Sequence, residues 1–475
     1  MFRLHVKYEW VSVWRDRWVV VLSLIFFGLL FFAIRNGQEK VLERQASIAK
    51  ARGELRQAES KRRGEIDSVA RGLRQYGEAR RNPRLLSTYG QRMGKVVAMD
   101  AQPLAFVATG QSDLFTHFAK PKLYGEVYSL GFSELANPVQ LLFGSFDLAF
   151  VCVYLLPLLV LAFSYNLLSS DKESGSLRLT LSQPVSLFSW LVAKLALRYA
   201  VVVGLIAATL LIVLAWHGIA MSTGLFWLLL LICVYVLFWF AVSFLVSLFG
   251  WSSGQNAIVL VSVWVVLVLL VPSIVSQLAN AVYPVPSRIN MIHNYRVAEA
   301  DAEKRASEIL TSYYRDHPEL GQQDSTVANQ YQFWLKYFAS VDVLKKAVQP
   351  VLDEYDGALA QQQEWVDRFK VLSPAILFQD GLNDLAGTST AHYTDFRHQV
   401  IEFNETWRNY FIPRMFANEL LQASDLDQLP EPRYQSRVQP VWAIDLLLIV
   451  VFAAVVLGVS FRVYQTSSAE RWLAS

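Results

Sequence analysis

The residues with the most specific spacing for an interaction lie in one short polar stretch, residues 169–194. Asp171 and Glu173 supply two carboxylates, and Ser170 or Asp171 can act as the N-cap of a short helix that has Glu173 near its positive end. Gly175 permits a turn after this helix. The pattern predicts a short amphipathic element that presents acidic and small residues to a partner. Its apolar side consists of Leu177, Leu179 and Leu181, and Pro184 ends it.

Apolar sequence encloses this polar stretch on both sides. Residues 148–168 contain no charged side chain, and no Asp, Glu, Lys or Arg occurs between Arg198 and Arg288. A run of about 20 apolar residues is enough to span the hydrocarbon core of a bilayer. A loop held between two such runs is too short to form a domain of its own. We therefore expect this loop to lie at one membrane surface and to contact a partner on that side.

The composition divides the chain into charge-free blocks and charged blocks. Of 475 residues, 54% are hydrophobic and 17% are charged. The sequence predicts an all-α membrane protein with six transmembrane helices and two mainly helical extracytoplasmic regions. The predicted transmembrane helices cover residues 18–34, 147–168, 190–216, 225–249, 257–278 and 441–459. The two extracytoplasmic regions are residues 35–145 and 283–439, residues 169–189 form a cytoplasmic loop, and residues 460–475 form a cytoplasmic tail.

The distribution of basic residues predicts the orientation. Residues 1–17 read as an amphipathic helix at the membrane interface, and their Lys and Arg side chains favour a cytoplasmic N-terminus. Parity then places the 169–189 loop and the C-terminus in the cytoplasm and both large regions outside. Basic residues directly after the first span oppose this orientation, but long translocated domains follow the rule poorly. The opposing residues are Arg35, Lys40 and Arg44.

Residues 39–78 are predicted to form one long helix that Asn82-Pro83 terminates. A seven-residue apolar repeat, interrupted at Arg62, indicates a coiled coil or a pair of packed helices. Lys and Arg outnumber Asp and Glu between Arg35 and Arg84. This excess has two interpretations, a site for polyanions or lipid headgroups, and the solvated face of a helical hairpin, which we favour. The repeat positions are Val41, Ile48, Leu55, Val69 and Tyr76.

The usual catalytic motifs are missing from the sequence. There is no G-x-x-x-x-G-K-[ST] phosphate-binding loop, no H-E-x-x-H, no G-x-S-x-G and no C-x-x-C. We therefore expect no enzyme activity, cofactor or metal in this chain. The net charge of +3 is too small to indicate nucleic-acid binding. The predicted spans hold almost no ionisable groups, which argues against an ion-driven transporter and implies that energy comes from a partner.

Several other residues deserve a structural interpretation before a functional one. Cys152 and Cys233 fall within predicted spans, where a small buried hydrophobe is expected. Asp147 and Asp445 fall at span ends, where we expect solvated carboxylates. Three residues in the second large region, His392, His398 and Glu402, have the spacing of a weak metal site, although surface histidines are the better interpretation. The aromatic residues Phe333, Trp334, Tyr337 and Phe338 could line a ligand groove but are expected to pack a helical core.

The polar stretch also carries a recognisable pattern, D-x-E-x-G-x-L-x-x-x-L-x-x-P-V-S, followed by a lysine at the start of the next span. This pattern resembles the permease subunits of bacterial type-2 ABC exporters. The six spans, the amphipathic N-terminal helix and the cytoplasmic termini are also similar to that family. The two large inserted regions look like the subgroup that resembles permeases of gliding-motility and nitrous-oxide-reductase maturation systems. The matching residues are Asp171, Glu173, Gly175, Leu177, Leu181, Pro184, Val185, Ser186 and Lys194.

The resemblance implies a function for the polar stretch. In that family, the segment after the second span is a coupling helix that docks on a separate ATPase subunit, which would hold ATP and magnesium. A second permease subunit, identical or different, would complete the membrane path in the bacterial inner membrane. The bilayer itself and a periplasmic protein are further expected partners. Residues 169–189 would then be a coupling loop, with Asp171, Glu173, Gly175, Leu177, Leu181 and Pro184 in contact with the ATPase.

Two other classes of function remain open from the sequence. The protein could pass ATP-driven motion through its long helix to a periplasmic partner without transporting anything. It could also be a membrane-anchored receptor or scaffold without an ATPase, and would then tolerate replacement of Glu173 and Gly175. The loop itself could be an ordinary connection between two helices. A membrane enzyme is the least favoured class, because no nucleophile-base or metal constellation is visible.

Overall fold

The structure is a computed structural model that describes most of the chain. It covers residues 9–11, 15, 17–76, 82–109, 116–123, 146–177, 187–217, 222–284, 353–417 and 419–466, with isolated residues between 293 and 350. Outside the membrane candidates, the continuously described residues form helices α2 (Leu86–Arg92), α7 (353–369), α8 (Pro374–Ala386) and α9 (Thr390–Phe416). A two-stranded antiparallel ribbon, β1 (Val97–Ala98) and β2 (Phe118–Ala119), interrupts this mostly helical architecture.

Among the residues that the structure describes, six helices are long and apolar enough to cross a membrane, which agrees with the predicted number. The protein is mostly helical, and by length and composition these six helices are compatible with a multi-pass membrane protein. They are α1 (Arg17–Ala70), α3 (Leu148–Glu173), α4 (Leu187–His217), α5 (Thr223–Ser247), α6 (Ser253–Val282) and α10 (Trp442–Thr466). We call the end of this bundle that carries Ser169–Glu173 the loop end, and the opposite end, where the two large regions attach, the domain end.

Helix α1 continues without a break from the apolar segment into the first large region. The predicted span and the predicted soluble helix are therefore one helix of 54 residues. It ends at Ala70, eight residues before the predicted end at Glu78, and Gly72 follows with a positive φ of 72°. Its apolar repeat packs on two different surfaces: Ile48 and Leu55 lie in a cluster with Val96, Ala98 and Phe118 at the ribbon, whereas Val41 packs against the core of the bundle.

Two of the bundle helices contain a π-helical stretch immediately before a proline. Val151–Leu155 precedes Pro157 in α3, and Val265–Leu270 precedes Pro272 in α6. Proline lacks an amide donor and its ring displaces the carbonyl four residues earlier, so a widened turn accommodates it without breaking the helix. In the structure, each proline thus follows a local widening of its helix.

Part of the second large region enters the bundle. The first residues of α8 reach the level of the middle of α5 and α6, because Phe378 stacks on Tyr235 at 4.0 Å and the Ser373 hydroxyl donates to the carbonyl of Leu267 at 2.5 Å. The other end of α8 lies beside the start of α10, where Asp384 accepts a hydrogen bond from the Trp442 amide at 3.0 Å. The predicted boundary at residue 283 therefore separates residues that pack in one core.

Candidate functional site

Two short connections meet at the loop end of the bundle. One is the short helix Ser169–Glu173 at the end of α3 with the turn after it, and the other is the turn at 248–252 between α5 and α6. Each turn contains a glycine with positive φ, Gly175 at 74° and Gly250 at 73°, a conformation that side chains disfavour. The Lys172 ammonium donates to the Gly250 carbonyl at 2.9 Å and thereby ties the two connections together.

Glu173 is the main link between these connections. Its carboxylate accepts hydrogen bonds from the backbone amide of Ser253 at 2.8 Å and from the Ser253 hydroxyl at 3.0 Å. Ser253 is the first residue of α6, so Glu173 places its negative charge at the positive end of that helix. The sequence placed Glu173 near the N-terminus of its own short helix instead. That helix has Leu168 as its N-cap, without the predicted side-chain cap from Ser170 or Asp171.

Asp171 faces into the bundle and forms an ion pair with Lys194 of α4. The Ser176 hydroxyl donates to the other oxygen of this carboxylate at 3.0 Å. The Lys194 ammonium also lies over the Trp190 ring, 4.3 Å from its centroid, and its side chain is 10% exposed. Asp171 and Lys194 both belong to the sequence pattern, and the structure brings them together although they are 23 residues apart in the chain.

Arg198 extends this charged network toward the N-terminal segment. Its guanidinium donates to Glu9 at 2.9 Å, to the Phe163 carbonyl at 2.6 Å and to the Asn166 side chain at 2.9 Å. Glu9 also lies 3.7 Å from Lys194 and is 8% exposed. The sequence does not identify Glu9 as part of this network, because an acidic residue among basic and aromatic neighbours carries no distinguishing signal. Lys194 and Arg198 are ionisable groups within α4, so the charge-poor spans are not free of ion pairs.

The remaining predicted contact residues divide into three groups. Leu177 is 1% exposed and packs with Leu168, Leu191 and Phe244, so it fixes the connection to the bundle. Gly175 is exposed, with open space around the position of a Cβ atom. Leu181 and Pro184 lie outside the described residues. A partner at the loop end would therefore meet Ser170, Glu173, Ser174 and Gly175, the exposed residues of the first connection.

An aromatic pair lies on the neighbouring turn. The Phe249 and Trp251 rings stack with their centroids 5.0 Å apart and an angle of 15° between planes. Phe249 is 51% exposed and Trp251 is 40% exposed. The sequence showed only two aromatic residues in a tight turn, a common composition at a membrane interface. Their stacking beside the acidic connection creates a surface with both apolar and charged groups.

Two carboxylates that were expected to be solvated are buried. Asp147 is 4% exposed and accepts hydrogen bonds from the Thr109 amide at 2.8 Å and from the Phe150 amide at 2.8 Å. Asp445 is fully buried and lies 2.8 Å from the Lys370 ammonium. The expectation of solvated span ends was wrong at both positions, because partners distant in sequence cover them.

The weak metal site is divided among separate interactions. His392 is 5% exposed and its Nδ1 lies 2.7 Å from the Ser389 hydroxyl, while Glu402 pairs with Arg437 at 2.9 Å. Burial lowers the pKa of His392 from its ordinary value, although Asp384 and Asp395 oppose the shift. Among the residues that the structure describes, no group of three or more His, Cys, Asp or Glu side chains could hold a metal ion. The aromatic set at Phe333, Trp334, Tyr337 and Phe338 lies outside them.

Comparison with known proteins gives one family match. Residues 288–435 match a family model described as a domain of unknown function, DUF3526. This match covers less than half of the chain and falls between α6 and α10, away from the loop end. No curated protein and no solved structure matches the chain.

Proposed function

We propose that this protein is the membrane-spanning permease subunit of an ATP-driven ABC exporter, and that its loop end receives force from a separate ATPase subunit. The observation that carries the proposal is the hydrogen bond that the backbone amide of Ser253, the first residue of α6, donates to the Glu173 carboxylate. Through it, a push on the connection after α3 would reach α6 as well as α3 and α4. A simple helix connection requires no such link between two separate turns.

The loop end has the composition expected of a docking surface. It combines the stacked Phe249 and Trp251 rings with the exposed Ser170, Glu173 and Gly175. Aromatic residues commonly supply most of the energy of a protein interface, and a charged rim supplies orientation. In this proposal the chain itself hydrolyses nothing, and the partner subunit holds ATP and magnesium. A second permease subunit, in the bacterial inner membrane, completes the path for a cargo that the ATPase drives outward.

The proposed orientation follows from the same surface. The loop end would face the cytoplasm with both chain termini, and the two large regions at the domain end would face outward. Lys172, Lys194 and Arg198 cluster near the loop end, consistent with the excess of basic residues on the cytoplasmic side of membrane proteins. The large regions would then receive, gate or release cargo.

Co-purification tests the ATPase partner. The tagged chain is isolated from native membranes in mild detergent, and bound nucleotide-binding subunits are detected by photo-crosslinking to azido-ATP. Ser170→Arg and Trp251→Arg place a new charge on the exposed docking surface, and both should abolish crosslinking. Glu431→Arg, an exposed substitution in the second large region, serves as the matched control. Absence of a crosslinked subunit with the unmodified chain would refute the proposal.

One observation favours a second candidate, force transmission without transport. Helix α1 is a continuous rod of 54 residues from the bundle to the far part of the first large region, and it could pass motion to a periplasmic protein. A proline at the exposed Ala46 would interrupt this rod, whereas Ala46→Gly would leave it continuous. ATP-dependent movement of a fluorophore at residue 57 should then vanish only in Ala46→Pro. Export of cargo by Ala46→Pro would support transport independent of the rod.

A further inference from the structure

A cavity lies beside α1, well away from the loop end. One face of α1 forms its first wall, and α2 and the 3-10 helix Ala423–Gln428 form the others. Its volume is about 210 Å³, enough for a small molecule or group larger than a single water, whose share of the liquid is about 30 Å³. The cavity is lined by Arg56, Glu59, Ser60, Arg63, Tyr89 and Leu426.

The charges around this cavity leave one cation in surplus. Arg63 pairs with Asp427, and Glu59 pairs with Lys95 at 2.8 Å. Within the described part of the chain, Arg56 has no ion-pair partner. Its side chain is exposed and lines the cavity. Its guanidinium presents several N–H donors in a planar array that suits a carboxylate or a phosphate.

A buried hydroxyl lines the same cavity without a partner. Tyr89 is 1% exposed, and among the described residues its hydroxyl has no hydrogen-bond partner. The ring is fixed by stacking on Phe411, with centroids 6.2 Å apart. Burial raises the pKa of Tyr89 above its ordinary value, so the hydroxyl remains a proton donor at neutral pH. A buried donor without an acceptor is unfavourable, and a ligand oxygen would satisfy it.

We propose that this cavity binds a small molecule through an oxyanion group, a carboxylate or a phosphate. Arg56 would pair with the anion, Tyr89 and Ser60 would donate hydroxyl hydrogen bonds, and Leu426 would contact a short apolar part of the ligand. The site does not depend on the proposed export function. Arg56 lies roughly 33 Å along α1 from Ile34, at about 1.5 Å per residue, so an occupied site would share one helix with the membrane bundle.

Calorimetric titration of the full-length protein in detergent tests the site, with inorganic phosphate and acetate as probes and chloride as the background anion. We expect one of the two probes to bind with a Kd of about 1 mM, and its identity assigns the ligand group. Arg56→Gln should weaken this binding about tenfold. Arg52→Gln is the matched control: Arg52 lies one turn away and pairs with Asp100, outside the cavity.

Tyr89→Phe separates a ligand-binding role from a structural one. Because the hydroxyl has no partner in the described structure, its removal should leave the thermal midpoint unchanged or raise it, while it weakens binding of the probe about threefold or more. A lowered midpoint with unchanged binding would assign Tyr89 to packing and overturn its part in the proposal. The site itself is refuted if neither probe binds at about 50 mM, or if Arg56→Gln binds as tightly as Arg52→Gln.

Discussion

The ammonium of Lys370 lies 2.8 Å from a carboxylate oxygen of Asp445, which is fully buried in the first turn of α10. Lys370 also pairs with Asp380 of α8 at 2.6 Å. One lysine at the turn between α7 and α8 therefore joins this helical hairpin to the bundle. Burial alone would lower the pKa of Lys370, but its pairing with Asp380 and Asp445 raises it above the ordinary value. The lysine is thus charged throughout the neutral range.

We predict that Lys370→Met destabilises the protein by about 3 kcal/mol or more, because it leaves Asp445 buried without its counter-charge. The thermal midpoint in detergent measures this loss. A second substitution, Asp445→Leu, should restore much of the midpoint when it is added to Lys370→Met. The control is Arg368→Met, since Arg368 pairs with Glu364 at the surface, where a pair contributes about 1 kcal/mol or less. Equal losses in Lys370→Met and Arg368→Met would contradict the prediction.

Removal of the Glu173 carboxylate should loosen the start of α6. In Glu173→Ala, the Ser253 amide and hydroxyl lose their acceptor, and we expect a loss of about 1 kcal/mol at this helix terminus. Hydrogen exchange of the Ser253 amide should accelerate accordingly. Glu173→Gln keeps an acceptor oxygen and should show a smaller acceleration. The interpretation of Glu173 as the link between the two connections fails if the amide exchanges equally fast in all three proteins.

The six helices could be predicted because each one needs an uninterrupted apolar run, and such runs are local properties of a sequence. The position of α8 inside the bundle could not be predicted from the sequence. Its 13 residues are too few to span a bilayer, and they include Gln379, Asp380, Asn383 and Asp384 among the apolar residues. Only the positions of α5, α6 and α10 create the core that Phe378 enters, and these positions depend on contacts between residues distant in the chain.

The candidate site shows the same division. The residue types predicted the acidic connection and the turn at Gly175, but they did not predict which residues pair with the acidic side chains. Glu173 bonds to a residue 80 positions later, and Arg198 bonds to one 189 positions earlier. A sequence shows that a carboxylate exists but not which donor covers it. For this reason Asp147 and Asp445 were expected in solvent, although both are buried.

Acidification should destabilise the first large region through His117. Burial, with a contribution from Arg44, lowers the pKa of His117 to about 3, against 6.5 in an unfolded chain. The folded state therefore keeps the imidazole neutral while the unfolded state binds a proton below pH 6.5, so stability is present above that pH and is lost as the pH falls toward 3. Between pH 6.5 and pH 5 we expect a loss of about 2 kcal/mol.

Thermal midpoints across this pH range measure the effect. His117→Leu should flatten the dependence, whereas His398→Leu, at an exposed position, should leave it as in the unmodified chain. His392 contributes a loss of the same sign, because burial lowers its pKa too. The double variant His117→Leu, His392→Leu should therefore be flatter than His117→Leu. A slope that persists undiminished in the double variant would assign the acid sensitivity to other groups.

Asp147 offers a test of how the first large region is joined to the bundle. Its carboxylate accepts hydrogen bonds from the Thr109 amide and hydroxyl, at 2.8 Å and 3.0 Å, and from the Phe150 amide in the first turn of α3. Asp147→Ala leaves these buried donors without an acceptor. We therefore expect the free energy of unfolding, followed by thermal denaturation, to fall by about 2 kcal/mol. Thr109→Val removes one donor and should cost less. A solvated carboxylate would predict a change of about 0.5 kcal/mol or less for Asp147→Ala. The size of the loss therefore decides whether Asp147 holds the region at residues 82–109 to the start of α3.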